Sequence, residues 1–302
     1  MRIVTLLPSA TEIVYALGLE PVAVSHECDY PPEAAEKPAV NGTRIDPTAA
    51  SAEIDGQVLD AEREGEGVYE IDLDALAEAD PDLIVTQGLC DVCAVDEVLV
   101  ERAVGRLDLD CRILTTDPHS LADVFDDVRR IGRATGREGH ADQLVAELRS
   151  GVRAVREVAA AADERPRVAV LDWLDPVMTA GHWVPELIED AGGEALFDAP
   201  ASVPREWEEI READPDVLVA APCGFGLDQT AANLSDLTER PGWDDLTAVR
   251  SGRAYAMDGH HYVNRPGPRL VETLEYLAAL LHPTLFDAPP EDVARPLSRV
   301  AV

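Results

Sequence analysis

Two short motifs hold the residues best suited to chemistry. His26-x-Cys28 and Cys90-x-x-Cys93 set an imidazole and thiolates at spacings that fit neighbouring corners of a tetrahedral metal. His26, Cys28, Cys90 and Cys93 are therefore a candidate ligand set for zinc or for iron and sulfur. The Cys90/Cys93 pair equally suits a redox disulfide. Small cysteines also fill tight loops or touch a ligand directly, so all of these readings stay open at this point. Cys111 falls inside a strand pattern and reads as core.

A second set is aromatic and histidine-rich. Trp173, His182 and Trp183, then Cys223 and Phe225, then His260, His261 and Tyr262 each follow an apolar run of strand length. Flat rings with imidazoles suit a large, partly apolar ligand, including one with a metal centre that a histidine can reach. Trp207 and Trp243 lie in polar helical or turn surroundings and read as structural plugs at the seam between two lobes. No Gly-rich phosphate loop, nucleophile elbow or His-Glu-x-x-His occurs, and the many carboxylates make no single acid pair informative. The sequence points to binding and not to an enzyme.

The elements that must position these residues alternate between strand and helix. Residues 2–7 read as a strand turned by Pro8-Ser9 into a helix, with Ser9 and Glu12 as a capping box. Further strands are expected at 22–25, 83–86, 111–115, 168–171, 217–220 and 253–257. Helices are expected at 51–64, 73–79, from the Ser120 cap to about 134, from Pro185, and at 270–281, followed by a frayed, Pro-rich tail. A helix from Glu138 to about 160 carries Ala141, Leu144, Val145, Leu148, Val152, Val155 and Ala159 on one stripe. Nearly the same phrase flanks it, AEADPDLIVTQGLC at 77–90 and READPDVLVAAPCG at 211–224. The reading is a strut joining two related lobes, with Gly151 its weak point at about 1 kcal/mol against Ala. The fold class is α/β, with parallel sheets wound by helices, whose ligands sit beyond the carboxyl ends of the strands. The domains expected are 1–136, a linking helix over 137–164, and 165–302.

Charge narrows the partners. Asp and Glu number 59 against 25 Lys and Arg, for a formal net charge of −34. The only lysine is Lys37. Such a surface repels nucleic acid and anionic lipid, and its even spread resembles the composition of halophile proteomes. Five cysteines at irregular spacing argue against a disulfide scaffold and suit a reducing compartment. No leader is visible before the strand at Ile3, and no apolar run is long enough to cross a bilayer. The chain as it stands reads as cytoplasmic, or as extracytoplasmic if its true start lies upstream.

With these residues in view, the sequence resembles the cobalamin-binding, BtuF-like branch of the helical-backbone (class III) substrate-binding proteins of ABC importers. The resemblance rests on RIVTLLPSATEIVYALGL, SHECDYP, TQGLCDVCAV, GHWVPELIEDAGG, PCGF, and HHYVNRPGPRL ending in LLHP. It implies two Rossmann-like lobes bridged by one helix, holding a corrinoid edgewise between them, with an ABC permease as partner. It further implies ligand contacts from Pro8, Ser9, His26, Cys28, Tyr30, Gln87, Cys90 and Cys93, and from Trp173, His182, Trp183, Cys223, Phe225, His261 and Tyr262. The expected function is corrinoid binding, as an importer's substrate-binding component or an intracellular carrier. The alternatives are a metal or iron–sulfur protein built on the His/Cys cluster, and haem or siderophore binding on the same fold.

Overall fold

The computed structural model of the chain describes residues 1–64, 67–88, 95 and 97–299. It divides into two compact α/β units, one formed by Met1–Asp46 and Gly56–Glu147, the other by Pro47–Asp55 and Leu148–Val302.

In the first unit the short apolar runs are strands: β1 (Ile3–Thr5), β2 (Ala23–Val24), β5 (Leu83–Gln87) and β6 (Arg112–Thr116) make one sheet in the order β2-β1-β5-β6. All pairings are parallel, with Val4 opposite Ala23 and Ile84, and Leu83 opposite Arg112. β1 and β5 are buried along their whole length, as central strands covered on both faces must be, which is why they read as continuous apolar runs. A small antiparallel pair, β3 (Asn41–Thr43) and β4 (Tyr69–Ile71), stands apart. Helices α1 (Pro8–Ala16), α2 (Ser51–Glu64), α3 (Leu73–Ala79), α4 (Glu97–Leu107) and α5 (Leu121–Thr135) connect the strands. Val4, Leu76, Ile84 and Val100 anchor the core, with Cys111 packed against its edge just ahead of β6.

Helix ends follow local chemistry, with one correction. Ser120 caps α5 by accepting from the Asp123 amide at 3.2 Å, and Gly136 ends it at φ +69°. The expected Ser9/Glu12 capping box is absent. α1 begins at Pro8 itself, and both Ser9 and Glu12 are buried. Proline's fixed φ suits the first helical position, so the helix starts two residues before a Ser9 cap would place it.

α6 runs Glu138–Ala159, and Ala141, Val145, Val152, Val155 and Ala159 along its stripe are buried. In the second unit, β7 (Arg167–Leu174), β11 (Val217–Ala220) and β12 (Ala254–Met257) are parallel. β8 (Val177–Thr179) pairs antiparallel with β7, β10 (Val203–Pro204) extends that edge, and β9 (Glu194–Ala195) adds to the start of β7. Over its described residues, to 299, the tail is not frayed: β13 (Ala294–Pro296) pairs antiparallel with β12 and covers its edge. Helices α7 (Val184–Asp190), α8 (Trp207–Ala213), α9 (Leu227–Ala232), α10 (Ser235–Thr238), α11 (Thr247–Arg250) and α12 (Leu270–Leu281) complete the unit. Trp207 and Trp243 pack within the second unit. They stack on each other with centroids 6.2 Å apart at the core of Leu171, Ile210, Leu218 and Leu237. Pro47–Asp55 belongs to this unit through a bond from Gln229 Nε2 to the Pro47 carbonyl (2.6 Å) and one from the Ser51 amide to Asn233 Oδ1 (3.0 Å).

Candidate ligand-binding site

In the first unit the predicted residues do follow the strand ends, but they differ in what they expose. Pro8 and Ser9 open α1 after β1, with Ser9 buried. Gln87, the last residue of β5, is buried as well. After β2, His26 and Tyr30 are exposed while Cys28 between them is buried. The Cys28 sulfur accepts a hydrogen bond from Thr11 Oγ1 at 3.0 Å and packs with Val24 and Ala34. Cys28 is thus a core thiol of this unit, a correction to its reading as a loop ligand. A turn at His26-Glu27, closed by the Cys28 amide donating to the Ser25 carbonyl at 3.0 Å, precedes the buried thiol and leaves His26 exposed. His26 lies 5.8 Å from the Tyr69 ring. Cys90 and Cys93 lie outside the described residues. Among the described residues, no metal-ligand group of three or more side chains includes His26 or Cys28.

The second unit collects its predicted residues at the ends of β7, β11 and β12, with two corrections. Trp173 lies within β7 and not on a loop, because the strand runs three residues further than the apolar run suggests. The pairing with β8 slips between Leu171 and Trp173, a bulge centred on Asp172. The Trp173 ring tilts against Phe225 at 5.1 Å and donates its Nε1–H to the Asp175 carbonyl. Trp183 is the second correction, since it is buried and donates Nε1–H to the Val263 carbonyl at 2.9 Å. It holds His182, stacked on it at 5.5 Å, in a left-handed backbone conformation at φ +53°. Phe225 is likewise buried behind Trp173, while Cys223 is a free, partly exposed thiol whose amide donates to the Asp172 carbonyl.

Beyond β12, residues Gly259–Val263 form a π-helical turn capped by Asp258. One Asp258 oxygen accepts from the His261 amide (2.8 Å) and the other meets His261 Nδ1 (2.7 Å). Arg265 Nη2 lies 2.7 Å from His260 Nε2. The turn is pinned from below: the Gly259 and His260 amides both donate to the Phe225 carbonyl, and Asn264 Nδ2 donates to the Ala221 carbonyl. A Cβ on Gly259 would come within 2.1 Å of the Pro222 carbonyl oxygen, so only glycine lets the turn sit this close to β11. Tyr262 packs edge-on against Tyr276 at 5.4 Å with Arg269 over its ring at 5.1 Å. Burial raises the Tyr262 hydroxyl pKa, against the lowering influence of Arg269.

Two residues that matter here carried no motif. Asp258 is an ordinary acid in an acidic chain, and only its spacing three residues before His261 hints at a grip on the imidazole. Asp172 is buried, bonded to Ser202 Oγ, with Oδ1 unpartnered, and burial pushes its carboxyl up to about 6.

The arrangement can hold a ligand by ring faces, imidazoles and buried guanidinium groups. The model for the family described as periplasmic binding protein matches residues 3–260. An uncharacterized ABC transporter substrate-binding lipoprotein, YvrC of Bacillus subtilis, is 28% identical over 294 residues, covering 94% of this chain and 81% of its own length. A cobalamin-binding protein of Halobacterium salinarum is 29% identical over 292 residues, covering 94% and 70%. Among solved structures, a periplasmic haem-binding protein from Pseudomonas aeruginosa shares the fold at a TM-score of 0.74 and 19% identity, covering 97% and 96%. Each of these relatives is named for binding. The chain belongs to the periplasmic binding protein family, as a substrate-binding protein.

Proposed function

We propose that this protein binds cobalamin or a related corrinoid and delivers it to the permease of an ABC importer. The observation that carries the reading is the grouping of rings at the ends of β7, β11 and β12: Trp173 on Phe225, Tyr262 on Tyr276, and His260 beside His261. A row of flat faces and imidazoles suits a large, rigid macrocycle with apolar faces and polar edges. Likeness along nearly the whole chain to a protein named for cobalamin supports a corrinoid as that macrocycle. The importer role draws on the lipoprotein relative, and on that reading the protein would work outside the cytoplasmic membrane. Cell fractionation tests that placement, which an intracellular carrier would fail.

Calorimetric titration with cyanocobalamin, cobinamide and haemin tests the ligand. Saturable one-to-one heat with both corrinoids is expected, and Trp173→Ala or Tyr262→Ala should weaken it at least tenfold. No heat with either corrinoid at tens of micromolar would refute the reading. Saturation by haemin alone would move the ligand to the porphyrins.

A further inference from the structure

The bulge in β7 ties several ligand-facing pieces of the second unit to one buried carboxyl group. Asp172 is the extra residue between Leu171, opposite Thr179, and Trp173, opposite Met178. A bulge of this kind re-aims the side chain that follows it, here the half-buried Trp173 ring. The Asp172 carbonyl accepts the Cys223 amide at 2.9 Å, next to the bond from the Ala221 amide to the Leu171 carbonyl (2.8 Å), so it anchors the turn that carries Phe225. Its carboxylate accepts from Ser202 Oγ. Ser202 ends the largely exposed loop 198–202, and Val203 after it opens β10 opposite Thr179. That loop lies on Gly181. A Cβ there would come within 2.1 Å of the Ala201 carbonyl oxygen and 2.8 Å of the Ala199 carbonyl oxygen, so only glycine admits the loop, and Gly181 leads directly into His182 and Trp183. Asp172 is 6% exposed, and its Oδ1 has no partner among the described residues. A buried carboxyl oxygen left unpaired lowers stability. Local conflicts of this sort gather where geometry serves function.

We propose that Asp172 is a positioning residue of the ligand site: by holding Ser202 it seats the 198–202 loop on Gly181 and sets the Trp173 ring against Phe225. The inference rests on the reading of this face as the corrinoid site. Asp172 acts from behind that face, through Trp173 and the loop.

Two measurements separate the positioning from the ligand. The first needs no ligand. Subtracting the emission of the matching Trp173→Phe protein isolates Trp173 among the four tryptophans. Ser202→Ala, which breaks the bond, should move this component to longer wavelength and make it more readily quenched by acrylamide. Ser202→Thr, which keeps the hydroxyl, should restore both. The second measurement is calorimetric titration with cyanocobalamin. Ser202→Ala should weaken binding about fivefold, whereas Ser202→Thr and Asp172→Asn, which keep a donor and an acceptor, should change it by less than about twofold. In a Trp173→Ala background the further effect of Ser202→Ala should fall below about twofold. If Ser202→Ala alone does not fold, the pair Ser202→Ala with Asp172→Leu removes both halves of the bond without leaving a buried charge, and takes its place.

A Trp173 component unmoved by loss of the bond overturns the positioning, whatever the ligand. Wild-type affinity after loss of the bond, or an equal loss with and without Trp173, overturns its bearing on binding. Asp172→Asn as weak as Ser202→Ala assigns the effect to charge and overturns the role of the bond. Absence of corrinoid heat in the wild-type protein overturns the corrinoid reading and the affinity claim with it, while the emission of Trp173 still decides the positioning.

Discussion

Gly151, the glycine in the middle of α6, separates sequence-level helix physics from packing. By propensity alone, Gly151→Ala should stabilise the helix by about 1 kcal/mol. The structure reverses that sign. A Cβ at this position would lie 2.7 Å from Val271 Cγ1 on α12, whereas carbon atoms in contact rest at about 3.5–4.0 Å. Val271 is buried, and a β-branched side chain in a helix has essentially one χ1 rotamer, so it cannot swing clear. Relieving such an overlap by shifting the helices costs about 1–3 kcal/mol. Against the propensity gain, the expected net effect is a destabilisation of about 1 kcal/mol. Urea unfolding followed by circular dichroism reads it as a lower midpoint at unchanged slope. The decisive comparison repeats the change in a Val271→Ala background. There the obstructing methyl is gone and Gly151→Ala should stabilise by about 1 kcal/mol, a coupling of about 2 kcal/mol between the two sites. A wild-type background in which Gly151→Ala raises the midpoint would refute the close approach of α6 and α12.

Two further outcomes follow from the site and its scaffold. Asp172 titrates at about 6 in the folded protein because of its burial. Its unfolded value is ~3.9, so the folded state binds more protons between those values, and the stability contributed by this group falls as pH rises from ~4 through ~6. Asp172→Asn keeps an acceptor for Ser202 and removes the charge, so it should gain roughly 3 kcal/mol on the wild-type protein between pH 4 and pH 7. Parallel stability–pH curves for the two proteins would show that Asp172 is not held in a desolvated site. Ser120→Ala removes the α5 cap and should cost about 1 kcal/mol near neutral pH. The bond to Ser120 also lowers the Asp123 carboxyl, so the loss should shrink as pH falls through the folded Asp123 pKa, and a constant loss would refute that link.

Much of the fold was legible because its signals are local. Central parallel strands are buried on both faces, so IVT, LIVTQ and VLVA stand out as apolar runs, and the long-helix stripe repeats at helical spacing. Ser120, Gly136 and Pro185 mark helix ends through bonds and torsions that reach only a few residues. The capping box failed because Pro8 competes with Ser9 for the same helix start, and proline prevails by already having its φ set.

The site was legible as a set of strand-end positions and not as a set of exposed groups. His26, Cys28 and Tyr30 look alike on paper, yet only the packing of Val24, Ala34 and Thr11 around the sulfur decides that Cys28 turns inward. Trp183 and Phe225 carry the same aromatic signal as Trp173 and Tyr262. Their burial depends on the Val263 carbonyl and on the Trp173 ring, partners far away in sequence.

By itself, the sequence determined the α/β class, the strand–helix alternation, the long helix now seen at Glu138–Ala159 and the membership that its motifs suggest. These rest on interactions within a few residues of each position. Tertiary structure alone decided that the Pro-rich tail closes the β12 edge, that Asp172 sits on a bulge and that Gly151 faces Val271. It also decided that the two oxygens of Asp258 meet the amide and the Nδ1 of His261. Each of these depends on which distant atom lies within about 3–4 Å, and no periodicity or propensity encodes such a distance.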